Sequence, residues 1–241
     1  MSDYLTEIFD TSNDKKIDAK IILEIAPLIF GLRVANIISI SREEFIYLKS
    51  IFYDSDLAFY VIAPSDNKLS ILVYREKKLK EYLSGYKASL ILKKLGYNTQ
   101  KFYGMMYTFS LRYKAYINNE AEFPHEMGLF LGYPIEDVIG FIKNDGKNFL
   151  AIGYWKVYED VSDKERLFER FEEAKKILTY LVYKGMNIKE IVKLYYYKRT
   201  LEAWQKINVF IIYSGKLRFA ENGEFYEILF CAYGGCCRIY L

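Results

Sequence analysis

The feature that most constrains the fold is a stretch at residues 123–142 that contains two of the chain's four prolines and its only histidine. Pro124 suits the first turn of a helix, where its missing N–H is not needed. Gly132 suits a left-handed cap at the end of that helix, and Pro134 then starts a second helix. Two short helices joined at a glycine are predicted, in the manner of a helix-turn-helix at 124–142.

The second helix of this pair argues against DNA as a partner. A helix that reads DNA presents donors such as Arg, Asn or Gln near its N-terminus. Here Glu136 and Asp137 occupy that position, and their carboxylates repel phosphates. The formal net charge is only +3, so no global field attracts a polyanion. Nucleic acid is therefore not an expected partner.

Hydrophobic periodicity over the 241 residues predicts an α+β fold, with a small mixed sheet covered by helices. Ser41 followed by Glu44 is typical of a capping box. The segment 149–158 is apolar on both faces, so it is predicted to lie inside the sheet with cover on each side. Helices are predicted at 17–32, 41–52, 75–83, 87–95, 100–116, 162–183 and 188–194. Strands are predicted at 34–40, 57–63, 69–74 and 149–158.

The lysines of two predicted helices, 75–83 and 87–95, have a further interpretation. They fall mostly on the side opposite the apolar residues Leu79, Leu83, Leu90, Ile91 and Leu95. That arrangement is typical of a solvated face and only occasionally of an anion site. A solvated face is the prediction.

The chain is predicted to form one globular domain over 1–197 and a short β-rich extension over 198–241, with strands at 209–213 and 225–230. Its N-terminus is acidic and polar, unlike a secretory signal, and no apolar run reaches the length needed to cross a bilayer. The protein is expected to be cytoplasmic, without a membrane partner.

The three cysteines, Cys231, Cys236 and Cys237, all lie near the end of the extension. An odd number confined to one short segment is not a disulfide framework. Their spacing lacks the paired pattern of zinc and iron–sulfur sites, so a structural or incidental tail is expected. The glycine-rich phosphate-binding motifs and the serine nucleophile motif are also absent from the sequence.

His125 and Glu126 form the most reactive-looking pair in the sequence. The positive end of the helix dipole favours a neutral imidazole at His125, able to act as a base or a metal ligand. The alternative is structural: His125 bonds a neighbouring loop and Glu126 satisfies the helix N-terminus. Tyr133, Trp155 and Lys156 are weaker candidates for a ligand pocket, with Lys156 as the anion contact, although such residues are more often core aromatics beside a snorkelling lysine.

Three segments carry a resemblance to a known family. They are FPHEMGLFLGYPIEDVIGFIKNDGKNFLAIGYWKVY at 123–158, APLIFGLRVANIIS at 26–39 and ILVYREKKLKEYL at 71–83. Over about 17–194 the chain resembles a family of uncharacterised proteins of anaerobic Firmicutes, catalogued as domain of unknown function thirty-seven ninety-three. The resemblance implies a cytoplasmic protein without an established activity, often associated with iron-related genes. The tail does not match the family pattern.

Three functions remain open on these residues. The leading expectation is a non-catalytic cytoplasmic binding or accessory protein that serves iron or haem handling, with His125 and Glu126 as ligands. The second is an enzyme that uses His125 as general base and Glu126 as its orienting group. The third is a protein–protein module in which the apolar face of the 134–142 helix docks a partner. The partner is accordingly an unidentified small ligand or a protein.

Overall fold

The computed structural model describes residues 13–53, 55–65 and 67–200 and four strands between 210 and 240, with side-chain contacts over 15–196. The chain divides into two compact units, Met1–Lys193 and Leu194–Leu241. The predicted α+β class is confirmed, since the chain combines helices with small antiparallel sheets. The domain limits at 197 and 198 stay a prediction.

The helices follow the hydrophobic periodicity of the sequence. They are α1 (Asn13–Ile29), α2 (Arg42–Phe52), α3 (Glu76–Ser84), α4 (Tyr86–Lys94), α5 (Phe102–Ile117), α6 (Met127–Phe130), α7 (Ile135–Lys143), α8 (Val161–Tyr183) and α9 (Ile188–Thr200). The capping box of α2 is confirmed, because Glu44 N donates to Ser41 Oγ at 3.1 Å and Ser41 N donates to Glu44 Oε2 at 2.7 Å. Across the described ranges, no helix has the length and apolar character needed to span a bilayer.

A three-stranded sheet lies in the first unit, in the order β1-β3-β2. Its strands are β1 (Ala35–Ile40), β2 (Leu57–Pro64) and β3 (Leu69–Arg75). Both pairings are antiparallel, so the expected mixed sheet is corrected to an antiparallel one. The hairpin between β2 and β3 is confirmed, and Ser65 N closes its turn by donating to Lys68 O at 2.8 Å.

The predicted strand at 149–158 is wrong. This segment forms a separate hairpin of two-residue strands, β4 (Ala151–Ile152) and β5 (Lys156–Val157). Its apolar residues do not mark two covered faces, because Ile152 is 68% exposed while Trp155 is 8% exposed and packs near Phe171. The apolar residues on both faces of this segment predicted a buried strand. The segment instead turns between β4 and β5, and its β5 end is the buried one.

Two clusters of buried side chains in the described part of the first unit position the elements around the site. The larger joins the sheet to α3, α4, α5, α6 and α7, and at its centre Phe109 and Phe130 stack with ring centroids 4.2 Å apart. The smaller contains Trp155, Val157 and Phe171 and ties the β4–β5 hairpin to α8. These clusters fix the positions of α4, α5 and α7, which carry the candidate site.

The corner between α6 and α7 depends on Gly132. Its φ is +66°, and a Cβ there would lie 2.7 Å from the Cβ of Val34, so only glycine fits. Pro134 is the residue before α7, as predicted. The first helix of the pair is shorter than expected: it begins at Met127 instead of Pro124 and has four residues. The predicted helix pair is therefore one helical turn followed by α7.

The second unit contains a four-stranded antiparallel sheet in the order β6-β7-β8-β9. The strands are β6 (Phe210–Tyr213), β7 (Lys216–Glu221), β8 (Glu224–Leu229) and β9 (Arg238–Tyr240). The strands predicted at 209–213 and 225–230 are confirmed to within a residue or so, as β6 and β8, whereas β7 and β9 were not predicted. Cys231, Cys236 and Cys237 lie outside the described residues.

Candidate functional site

A cleft of about 930 Å³ opens between α4, α7 and the segment that precedes α6. Leu90, Ile91 and Leu95 line it on one side, and Ile139 and Ile142 line it on the other. Its volume lies within the range of about 300–1,000 Å³ that is typical of small-molecule sites. The cleft is therefore large enough to hold a small-molecule ligand and is open to solvent on one side.

One face of α4 forms a wall of this cleft. Lys87, Leu90, Ile91 and Lys94 recur at three- and four-residue steps, so their side chains share one face of the helix. The predicted solvated face is confirmed for Lys87 and Lys94, since both are exposed, and the two lysines also border the same cleft as Leu90. The helix thus presents an apolar centre with an ammonium group at each end.

The opposite wall is a face of α7, and buried polar contacts hold that helix in place. Asp137 in its first turn accepts hydrogen bonds from Trp155 Nε1 and from Tyr158 N, each at 2.7 Å, and from Glu159 N at 3.3 Å. A residue larger than glycine at 140 would place its Cβ 2.3 Å from Cγ of Tyr158. Asp137 and Gly140 together clamp α7 against the β4–β5 hairpin.

An ion pair joins α7 to α8. Lys164 is buried, and its Nζ donates to Glu136 Oε1 at 2.7 Å. Burial alone would raise the pKa of Glu136, but the hydrogen bond and the charge of Lys164 outweigh it and lower this pKa below its ordinary value. The predicted acidic first turn of α7 is therefore occupied by structural contacts to neighbouring elements.

The charges that border the cleft are mostly positive. Lys87, Lys94, Lys143 and Arg112 stand against two carboxylates, those of Glu122 and Glu126. Within the described part of the chain, none of the three lysines takes part in an ion pair. Three ammonium groups around an apolar space favour a ligand that carries an acidic group.

The carboxylate of Glu126 belongs to a buried network. Its Oε1 accepts hydrogen bonds from Tyr97 Oη at 2.7 Å and from Arg112 Nη1 at 3.1 Å, and the residue is 3% exposed. Arg112 Nη2 also donates to Leu95 O at 2.5 Å. Burial and the neighbouring Glu126 raise the pKa of Tyr97, so its hydroxyl keeps its proton and donates. Glu126 thus braces α5 against the cleft wall.

His125 lies on the cleft wall but faces different partners from those of Glu126. Its Nε2 lies 3.8 Å from Asp145 Oδ1, and its ring meets Phe141 edge to face at 5.4 Å. Because α6 begins two residues later and is a single turn, the helix-dipole argument for His125 loses its basis. In the ranges that the structure describes, no three His, Cys, Asp or Glu side chains come together as metal ligands.

Beside His125 lies a second, half-open pocket of about 220 Å³, which we call the inner cavity. Tyr133, Trp155 and Lys156, the weaker candidates from the sequence, all line it. The rings of Tyr133 and Trp155 stack at 4.8 Å, and Lys156 Nζ donates to Gly146 O at 2.7 Å. The structure thus brings these three residues together, near His125 and away from the lysines of α4.

Sequence reasoning missed the residues that define the cleft. Lys87 and Lys94 are exposed, as predicted, but their seven-residue spacing around Leu90 and Ile91 also indicates that they border one surface, which the sequence analysis did not predict. Arg112 could not be found from the sequence, because its role depends on hydrogen bonds to Glu126 and Leu95, which lie on other segments.

The fold and the cleft define an α+β protein with a ligand-sized apolar site bordered by cations. A family model described as Protein of unknown function (DUF3793) matches residues 21–192, and the chain belongs to this family. No curated protein and no solved structure matches the chain. The matched segment contains every residue that lines the cleft and the inner cavity.

Proposed function

We propose that the protein is a non-catalytic cytoplasmic binding protein whose cleft takes an apolar ligand with an acidic group. The observation that carries this proposal is the cleft itself, an apolar space bordered by Lys87, Lys94 and Lys143. Apolar walls favour the ligand through the area they remove from water, and ammonium groups orient its acidic end.

Haem is the member of this ligand class that the iron-related expectation selects. It combines an apolar macrocycle with carboxylates, and His125 on the wall is a side chain of the type that binds haem iron axially. Glu126 is the weaker partner for iron, because Tyr97 and Arg112 already occupy its Oε1. The haem version of the proposal therefore rests on His125.

The enzymatic alternative has less support from these contacts. A general base at His125 oriented by Glu126 needs a hydrogen bond between them, whereas the carboxylate oxygen that faces His125 Nε2 is Asp145 Oδ1, at 3.8 Å. The docking alternative also has less support, because the apolar face of α7 is not free for a partner: Val138 is buried, and Ile135 and Ile142 pack against the core. A binding role accounts for more of the site than either.

The test uses two probes, palmitate followed by calorimetry and haemin followed by absorbance. In Leu90→Glu a carboxylate enters the cleft at a residue that is 40% exposed, so folding should be preserved. We expect this change to weaken binding about tenfold or more, because it adds a like charge and a desolvation cost at the apolar centre. Leu111→Glu is the matched control, since Leu111 is a 51% exposed leucine on α5 that does not line the cleft.

Two results would contradict the proposal. One is that neither palmitate nor haemin binds the wild-type protein saturably. The other is that Leu90→Glu and Leu111→Glu weaken binding equally, which places the ligand elsewhere. For the haem version, His125→Gln should abolish the shift of the haemin absorbance band if the imidazole binds iron.

A further inference from the structure

The inner cavity shares two of its lining residues, Phe123 and His125, with the cleft. These two side chains are therefore the wall between the two spaces. The ring of Phe123 is half-buried and meets its aromatic neighbours at 5.3 Å for Tyr116 and 5.9 Å for Phe141. A path from one space to the other therefore runs past Phe123 and His125.

The polar groups of the inner cavity are already engaged. Asp137 accepts hydrogen bonds from Trp155 Nε1 and two backbone N–H groups. The ammonium group of Lys156 donates to Gly146 O and lies over the ring of Phe141 at 5.7 Å. What the cavity offers a ligand is its apolar surface, from side chains such as Met127 and Val138. It suits an apolar chain better than a charged group.

The two spaces therefore differ in chemistry. Lys87, Lys94 and Lys143 border the cleft, and none of them lines the inner cavity. An acidic head is favoured among these lysines, and an apolar end is favoured behind Phe123. A flexible chain can pass a single aromatic side chain, whereas a broad rigid ring system cannot follow that path without displacing both wall residues.

We propose that the ligand is a single-chain anionic amphiphile, bound with its acidic head among the lysines of the cleft and its tail directed past Phe123 into the inner cavity. This inference rests on the proposed function and narrows its ligand class. It also assigns Phe123 the role of setting how long a chain the site accepts.

The experiment is a series of straight-chain carboxylates from octanoate to stearate, titrated by calorimetry into the wild-type protein. Affinity should rise about fourfold for each added methylene and then reach a plateau where the tail fills the inner cavity. Phe123→Trp narrows the passage and should move this plateau to a shorter chain. Phe123→Ala widens it and should move the plateau to a longer chain.

Tyr107→Ala is the matched control, because it removes an exposed aromatic side chain of α5 that lines neither space. It should leave the plateau where the wild-type protein has it. Circular dichroism of each variant establishes that it is folded, and the opposite directions expected for Trp and Ala keep the test decisive if one of them is unstable.

The outcomes separate the inference from the function on which it rests. Carboxylates that bind with no dependence on chain length, or a plateau that neither Phe123 variant moves, would overturn the tail path and leave the cleft as a binding site. Haemin that binds while no carboxylate does would overturn the amphiphile and favour the haem version. Failure of every probe would overturn the proposed function as well.

Discussion

Replacing Asp137 should destabilise the protein more than replacing any other single carboxylate residue in the region of the site. The side chain is 2% exposed and accepts two hydrogen bonds of 2.7 Å, from Trp155 Nε1 and Tyr158 N, and a longer one of 3.3 Å from Glu159 N. Hydrogen bonds to a charged group contribute about 1.5–3 kcal/mol each. With the long bond neglected, Asp137→Ala should lower the free energy of unfolding by about 3–6 kcal/mol.

That loss is a large part of the roughly 5–15 kcal/mol by which domains are stable. The assay is urea unfolding followed by far-ultraviolet circular dichroism, with the change read from the midpoint at an unchanged slope. Asp163→Ala is the control, because Asp163 is also an aspartate in the first turn of a helix but is exposed and pairs with Arg166 on the surface. It should lower stability by less than about 1 kcal/mol.

Asp137→Asn tests the charge separately from the shape. It keeps one acceptor oxygen, so its effect should fall between those of the alanine variant and the control. A loss below about 1 kcal/mol for Asp137→Ala, or equal losses for the two alanine variants, would refute the view that this carboxylate holds the β4–β5 hairpin to α7.

Three further changes test other contacts. Ser41→Ala removes the capping box of α2 and should lower the free energy of unfolding in urea by about 1 kcal/mol. Tyr97→Phe takes a donor from the buried Glu126 and should lower it by about 1–2 kcal/mol in the same assay. The lowered pKa of Glu136 contributes stability that is complete above its ordinary value of 4.5 and is lost as pH falls through the lowered value in the folded state, so Glu136→Gln should flatten the acid side of a plot of melting temperature against pH.

Each of these has a clear contrary result. A Ser41→Ala protein as stable as wild type would mean that the cap adds nothing to α2. A Tyr97→Phe protein of unchanged stability would mean that Arg112 alone satisfies Glu126. A Glu136→Gln protein with the same acid profile as wild type would mean that the contact with Lys164 does not change strength with protonation.

Much of the fold is readable from local signals in the sequence. Helices such as α8 follow from apolar periodicity, and the start of α2 follows from Ser41 and Glu44, because these patterns describe groups that interact within one or two turns. The hairpin of β2 and β3 follows from a turn-rich connection. In each case the deciding contacts lie close together in the sequence.

The errors share a physical reason. In the segment 149–158, burial is decided by Phe171 and Asp137 rather than by alternation, since these residues hold Trp155 and leave Ile152 in water. The start of α6 was misplaced because proline is compatible with a helical first turn but does not enforce one. A local sequence pattern does not show which distant element of the fold covers a given side chain.

The candidate site was predicted only in part. His125, Tyr133, Trp155 and Lys156 do gather around one cavity, as their shared segment allowed. The cleft was not predictable from the same reasoning, because it exists only where α4 faces α7, and these helices meet through tertiary packing. The lysines of α4 acquire a functional interpretation from that meeting alone.

The central claim is that the cleft binds an apolar acid, and the chain's only histidine offers the most direct test, since His125 lines both the cleft and the inner cavity. Nuclear magnetic resonance of tag-free protein gives a single set of imidazole signals for this residue. On titration with palmitate we predict a saturable shift of these signals in the wild-type protein and in Leu111→Glu, and a much weaker response in Leu90→Glu. Imidazole signals that stay fixed while calorimetry records palmitate binding would place the ligand elsewhere and contradict the claim.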